Sequence, residues 1–150
     1  MPFADGALDL VTANMVVEHL PDPIRQFREV ARVLRSGGRF LFHTPNLHNY
    51  GTFMARATPE SVKSLSLRVL EGRKEEDRFK AYYRANSFEQ VPELARQAGL
   101  AVASMSAICN QAIFARVLPI AILELLWIRA LQSPRLERYR PNLIVVLAKP

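Results

Sequence analysis

Two histidines, His19 and His43, and the carboxylate of Glu18 are the side chains in the front part of this chain whose types suit proton transfer. An imidazole titrates near neutrality and passes a proton in either direction. Glu18 directly precedes His19 and either orients its ring or lies on a solvated turn. His19 reads equally well as a packing residue bonded to backbone. His43 sits within the apolar run RFLFHT, Arg39–Thr44, where a buried core histidine is as good a reading as a functional one. Asn46 follows just beyond, so His43 and Asn46 flank the end of that run. Glu18, His19, His43 and His48 show no known metal-ligand spacing, and no metal site is expected. Ser36, between Arg35 and Gly37, is not in a nucleophile elbow. Cys109, the single cysteine, has no base placed beside it in the sequence and no partner for an internal disulfide.

The elements that must position these residues are legible around them. Asp9–Asn14, DLVTAN, reads as a strand buried on both faces, as in a parallel sheet. Asp22 can cap a helix and Pro23 suits its first turn. Ile24, Phe27, Val30, Ala31 and Leu34 then recur at helical spacing, with Arg25, Arg28, Glu29, Arg32 and Arg35 off that stripe. Gly37 and Gly38 are expected to end the helix, since glycine accepts the left-handed conformation of a C-terminal cap. Arg39–Thr44 is a second buried strand, stopped by Pro45. Strand, helix, strand in this order predicts a right-handed parallel crossover. Further on, Pro59–Leu70 has helical character, and the charged stretch Glu71–Lys80 is read as solvated. Ser87 opens another helix, with Gln90 placed to complete a capping box, an apolar stripe of Val91, Leu94, Ala95 and Ala98, and Gly99 at its end. Pro92 is awkward in that helix unless it falls in the first turn. Leu100–Ala107 and Asn142–Ala148 are the third and fourth strand candidates.

The segment Gln111–Gln132 is a hydrophobic helical insertion. Arg116, Pro119, Glu124 and Arg129 argue against a membrane span. It is read as a helix packed on its own domain, with an interfacial helix, Trp127 and arginines at the headgroup level, as the alternative. The 150 residues are the size of one domain, and 49% hydrophobic with 23% charged residues fits a globular protein. The net charge of +6 is scattered, without a cluster of base-stacking aromatics, so nucleic-acid binding is not expected. Met1–Asp9 has no basic start and no apolar core, so it is not read as a signal peptide. The lone cysteine suits a reducing compartment.

Taken together, Met1–Asn46 resembles the class I S-adenosylmethionine-dependent methyltransferases of the type 11 group. The resemblance rests on Pro2-Phe3, then Leu8-Asp9 before a strand, the Glu18-His19 pair after it, a helix, and Ser36-Gly37-Gly38 before the next strand. The family's usual proline is a serine at Ser36. Tyr82–Leu100 is similar to the helix before the family's sixth strand, and Asn142–Pro150 to its final strand. The resemblance implies an α/β fold: a partial Rossmann-like methyltransferase sheet, strands four to seven with the last antiparallel, and flanking helices. Residues 1–150 would then be the C-terminal part of a methyltransferase domain, with the insertion at about 111–132.

The implied cofactor is S-adenosylmethionine, with Phe3, Asn14, Met15 and Glu18 as its contacts and His19 and His43 as the catalytic candidates. The methyl acceptor is not implied. The glycine-rich loop after the family's first strand and the acidic residue after its second have no counterpart in this sequence. The expectation is therefore a late gene start or a separately encoded N-terminal half, testable in the upstream reading frame. The alternative is a non-catalytic remnant acting as a binding or membrane-associated module. Without its first strands the sheet would expose an apolar edge open to self-association. A cytoplasmic site, with peripheral membrane contact as an option, completes the expectations.

Overall fold

The computed structural model of the chain describes residues 1–52, 80–110, 112 and 118–150. The helix expected over Pro59–Leu70, the charged stretch up to residue 79, and residues 111 and 113–117 of the hydrophobic insertion lie outside the described residues.

Four strands make one sheet: β1, Leu8–Asn14; β2, Leu34–Pro45; β3, Ala101–Ile108; and β4, Asn142–Ala148. Their spatial order is β1-β2-β4-β3. β1 and β2 run parallel, with Val11 opposite Phe40, Ala13 opposite Phe42 and Asn14 opposite His43. β4 lies between β2 and β3 and is antiparallel to both. This is the mixed sheet with an antiparallel last strand that the resemblance implies.

The α1 helix, Pro23–Val33, connects the parallel pair. Asp22 caps it, its side chain accepting from the Arg25 backbone N–H at 3.3 Å. Phe27, Val30 and Ala31 are buried beneath it, as is Leu34 just beyond its end, and Ile24 is half-buried. Phe27 stands edge-on to Phe40 and Phe42, with ring centroids 5.5 and 5.7 Å away. The α2 helix, Gln90–Gln97, covers the same face of the sheet through Val91 and Ala95. Ser87 Oγ accepts from the Gln90 N–H at 3.1 Å, while the Gln90 side chain accepts from the Asn86 N–H at 2.9 Å. The Ser87 half is the expected capping box, and the reciprocal bond of Gln90 reaches back one residue further, to Asn86. Pro92 falls in the first turn, where its missing N–H costs nothing. Gly99, at φ +74°, closes the helix, with the Leu100 N–H donating to the Ala95 carbonyl at 2.9 Å.

Two expectations are corrected. Gly37 and Gly38 do not end α1. The helix stops at Val33, Leu34 is already extended, and both glycines belong to β2. The reason is local: between Leu8/Leu34 and Leu10/Arg39 the pairing slips, and the extra residues of β2 form a bulge there. Gly37 supplies a φ of +79° inside it. A Cβ on Gly38 would come within 2.8 Å of the Arg35 carbonyl oxygen. The second correction concerns burial. β1 and β2 are not buried on both faces. Phe40, Phe42 and Thr44 are buried while Arg39 and Leu41 between them are exposed, and Leu10 on β1 is 56% exposed. Among the described residues the helices α1 and α2 cover one face, and β1 is an edge.

Candidate functional site

Parallel strands bring their carboxyl ends to one rim, and the residues there are Asn14 on β1 and His43 on β2. Asn14 Oδ1 lies 2.8 Å from His43 Nδ1. With the amide oxygen facing it, Nδ1 carries the ring proton and donates, which leaves a lone pair on Nε2. That Nε2 is buried and has no hydrogen-bond partner among the described residues. A buried polar atom without a partner is uncommon, and a ligand group or an ordered water would complete its bonding. Met15 follows with φ +52°, a conformation that a non-glycine side chain rarely takes. Its N–H donates to the His43 carbonyl at 2.9 Å, so the chain leaves β1 in a sharp turn locked to β2. Met15 and Val16 stay 41% and 49% exposed at that rim.

Glu18 and His19 sit elsewhere. They belong to a 3-10 turn, Val17–His19, after β1. Glu18 is buried, and its Oε2 accepts from Thr44 Oγ1 at 3.1 Å. Thr44 in turn accepts from Asn86 Nδ2 at 2.7 Å, and Asn86 Nδ2 also donates to the Pro45 carbonyl at 2.9 Å. The Glu18 carbonyl receives the N–H groups of Tyr82 and Tyr83 at 2.7 and 3.2 Å. His19 Nδ1 donates to the Lys80 carbonyl at 3.1 Å, and its Nε2 stands 3.8 Å from Glu18 Oε1. Because side chains alternate along a strand, His43 and Thr44 point to opposite faces. The Glu18 network is thus on the helix-covered side, and the Asn14–His43 pair on the other.

Phe3 is not brought to this rim. It is 48% exposed, and its carbonyl accepts from Arg32 at 3.0 Å near the end of α1, at the amino ends of the parallel strands. The buried chain Glu18–Thr44–Asn86 escaped sequence reading. The signal available was a threonine at a core position of an otherwise phenylalanine-lined strand, which needs a polar partner. Asn46, weighed at the strand end for its position, is fully buried and donates to the Arg138 and Arg140 carbonyls at 2.7 and 2.8 Å. It ties β2 to the turn before β4. Among the described residues no group of three or more His, Cys, Asp or Glu side chains could hold a metal ion.

Comparison with known proteins shows what this arrangement is similar to. Residues 1–42 match the methyltransferase domain family. The sarcosine/dimethylglycine N-methyltransferase of Halorhodospira halochloris is 49% identical over 45 residues, 30% of this chain and 16% of that protein. The demethylmenaquinone methyltransferase of Mycolicibacterium vanbaalenii is 36% identical over 73 residues, 44% of this chain and 32% of that protein. In fold, the chain is similar to the geranyl diphosphate C-methyltransferase of Streptomyces coelicolor, solved with magnesium, geranyl diphosphate and S-adenosyl-L-homocysteine. The TM-score is 0.57 at 15% identity, over 100% of this chain and 49% of that one. The chain thus spans about half of that structure, and the aligned stretches are a third or less of the two sequence relatives. The β1–α1–β2 unit lies almost wholly within the 42 residues that match the methyltransferase domain family, and the whole chain is similar in fold to methyltransferase structures.

Proposed function

We propose that this chain forms the acceptor-side wall of a site for S-adenosylmethionine-dependent methyl transfer, with Asn14, Met15 and His43 as the residues that meet the ligands. The observation that carries the reading is the buried, unpartnered Nε2 of His43 at the carboxyl rim of two parallel strands. Ligands of open α/β sheets bind beyond that rim. The donor set is compatible with the cofactor: a strand-end turn at Met15 that leaves this residue 41% exposed, beside a neutral amide. When bound, the cofactor supplies a methyl group on a positively charged sulfur, already activated for in-line displacement.

The chain's own contribution is position and proton handling. Asn14 fixes the His43 tautomer by taking the Nδ1 proton in a hydrogen bond. The Nε2 lone pair is then turned toward an acceptor N–H or O–H. In such a displacement the methyl carbon's bond to sulfur would break, with the thioether leaving, as its bond to the acceptor formed, and the proton lost by the acceptor would pass to His43 Nε2. Glu18 and His19, expected among the ligand contacts, are given a supporting part: they hold the turn after β1 against β2 through Thr44.

The test is a nuclear magnetic resonance titration of the isotope-labelled chain with S-adenosylhomocysteine at high concentration. Backbone shifts are expected at Asn14, Met15 and His43, and an Asn14→Ala variant should lose them while keeping its fold. No perturbation at these positions, or perturbation centred on residues away from the rim, refutes the assignment.

A further inference from the structure

The α3 helix, Leu118–Leu131, is built the wrong way round for a helix that serves its own domain. The residues it turns inward are Ala121, Glu124, Ile128 and Leu131, spaced three and four apart on one stripe. Glu124 is buried on that stripe and accepts from the Tyr50 hydroxyl at 2.6 Å. Burial of the Tyr50 phenol and the Glu124 carboxylate beside it hold the phenol above its ordinary range. Arg140 clamps the far end, donating to the Leu131 and Gln132 carbonyls at 2.9 and 3.2 Å. The outward face carries the apolar side chains: Leu118 73%, Ile122 52%, Leu123 67%, Leu125 59% and Leu126 60% exposed, with Trp127 at 43% on its flank. A helix anchored by a carboxylate and an arginine, with its leucines in water, has an apolar face that none of the described residues covers.

Length and charge say what. Its described part, 14 residues, is roughly 21 Å long, short of the ~30 Å hydrocarbon core. No helix among the described residues is long and apolar enough to cross a membrane. Arg129 lies on the outward face in the last turn of α3, and Arg135 and Arg138 are exposed in the 3-10 turn, Pro134–Tyr139, that follows. The only acidic side chain of α3 is the buried Glu124. A second copy seated on this face would bring few free carboxylates to meet its arginines: Glu124 is buried, Glu137 lies 3.8 Å from Arg140, and Glu89 is paired with Arg138 at 3.2 Å. An anionic lipid surface answers both the leucines and the arginines. We propose that α3 is an in-plane membrane anchor, docking the chain on anionic bilayers with its leucines among the acyl chains and Arg129 and Arg135 at the headgroups. This inference stands apart from the methyl-transfer reading, since none of these residues lies at the β1–β2 rim.

Trp127 is the single tryptophan of the chain, so its emission reports on α3 alone. The full chain is mixed with vesicles of phosphatidylcholine, with and without phosphatidylglycerol, at low and at high salt. Emission is followed, and floating protein is separated on a density gradient, where aggregates sink. A shift of Trp127 to shorter wavelength and flotation with the phosphatidylglycerol vesicles, both weakened by salt, are expected. Leu123→Glu with Leu126→Glu, at positions already in water, should keep the circular dichroism spectrum and lower partitioning roughly a hundredfold or more. Arg129→Glu with Arg135→Glu should remove the preference for anionic vesicles. Three results overturn the proposal: no flotation on anionic vesicles at low salt, flotation undiminished in the leucine variant, or equal binding to both vesicle types. A fourth does so in favour of a second copy: self-association that shields Trp127 without lipid and leaves nothing for vesicles to change.

Discussion

Replacing Thr44 by valine removes one hydroxyl and keeps the shape of the side chain, so the cost measures the buried chain Glu18–Thr44–Asn86 alone. Thr44 and Asn86 are fully buried and Glu18 nearly so. The hydroxyl donates to a carboxylate at 3.1 Å and accepts from an amide at 2.7 Å. A hydrogen bond to a charged group contributes about 1.5–3 kcal/mol and a neutral one about 0.5–1.5 kcal/mol. Asn86 Nδ2 keeps the Pro45 carbonyl as a partner, so its loss falls at the low end. The expected cost is therefore about 2–4 kcal/mol, which lowers a urea midpoint by about 1–2 M at a slope of about 2 kcal/mol per molar. A double-mutant cycle with Glu18→Gln should show a coupling of about 1 kcal/mol, because the two side chains touch. A cost for Thr44→Val under about 0.5 kcal/mol, with coupling below about 0.3 kcal/mol, would refute the reasoning. Glu18 would then be free of Thr44 and available to a ligand, as the family resemblance implied.

Other outcomes follow from single contacts. Phe27→Ala should cost about 3–5 kcal/mol in urea unfolding, since Phe27 fills the space between Phe40 and Phe42 at 1% exposure; a loss under ~1 kcal/mol would remove it from the core. The two glycines of the β2 bulge should part company under substitution. Gly37 has φ +79° and open space around it, so Gly37→Asn is tolerated, while Gly38→Ala pushes a methyl against the Arg35 carbonyl and costs about 1–3 kcal/mol; equal costs would contradict the bulge geometry. Tyr50 should ionise well above its ordinary value of 10.0, because burial and the Glu124 carboxylate both disfavour the phenolate. The folded-state value is raised, so the stability contributed is full below pH 10.0 and is lost as pH climbs toward the folded value. Spectrophotometric titration should show a late-ionising phenol that Tyr50→Phe removes, and its persistence in that variant would assign it to another tyrosine.

The sequence was most informative where one pattern had one meaning. Asn142–Ala148 matches β4 to the residue, and the α1 stripe of Phe27, Val30 and Ala31 is buried as its spacing implies. Gly37-Gly38 misled because paired glycines serve a helix cap and a strand bulge equally well, and only the partner strand decides. The continuous apolar run of β2 suggested burial on both sides. Whether a second layer covers a strand is a property of the sheet, not of the strand, and exposed Arg39 and Leu41 show the open side. At the candidate site, strand ends placed Asn14 and His43 on one rim from sequence alone. That they touch, and that Glu18 points away from them, depended on the one-residue register of β1 against β2. For α3, the expected packing on its own domain holds along a single stripe. Hydrophobicity alone did not tell which side of an almost uniformly apolar helix faces inward; Glu124 did, by finding Tyr50.

Register also explains how one short strand serves stability and chemistry together. From Arg39 onward, β2 sends Phe40, Phe42 and Thr44 to the core and Arg39, Leu41 and His43 to the other face. A slip of one residue would exchange the two sets, putting His43 under α1 and Phe42 beside Asn14. What prevents the slip sits at the opposite end of the strand. The Gly38 carbonyl accepts from the Lys149 N–H at 2.9 Å, the Gly37 N–H donates to the Lys149 carbonyl at 2.9 Å, and Lys149 Nζ reaches the Leu34 carbonyl at 2.7 Å. The bulge therefore absorbs the extra residues before the pairing with β1 resumes at Leu10–Arg39. A Gly38 substitution that relaxes by shifting the strand, instead of straining in place, disturbs the Asn14–His43 hydrogen bond from the far end of β2. In the titration with S-adenosylhomocysteine, Gly38→Ala should then weaken the response at Asn14 and Met15 although it touches neither. If the variant unfolds more easily yet leaves that response unchanged, the strand is held in register by its core side chains and not by its bulge.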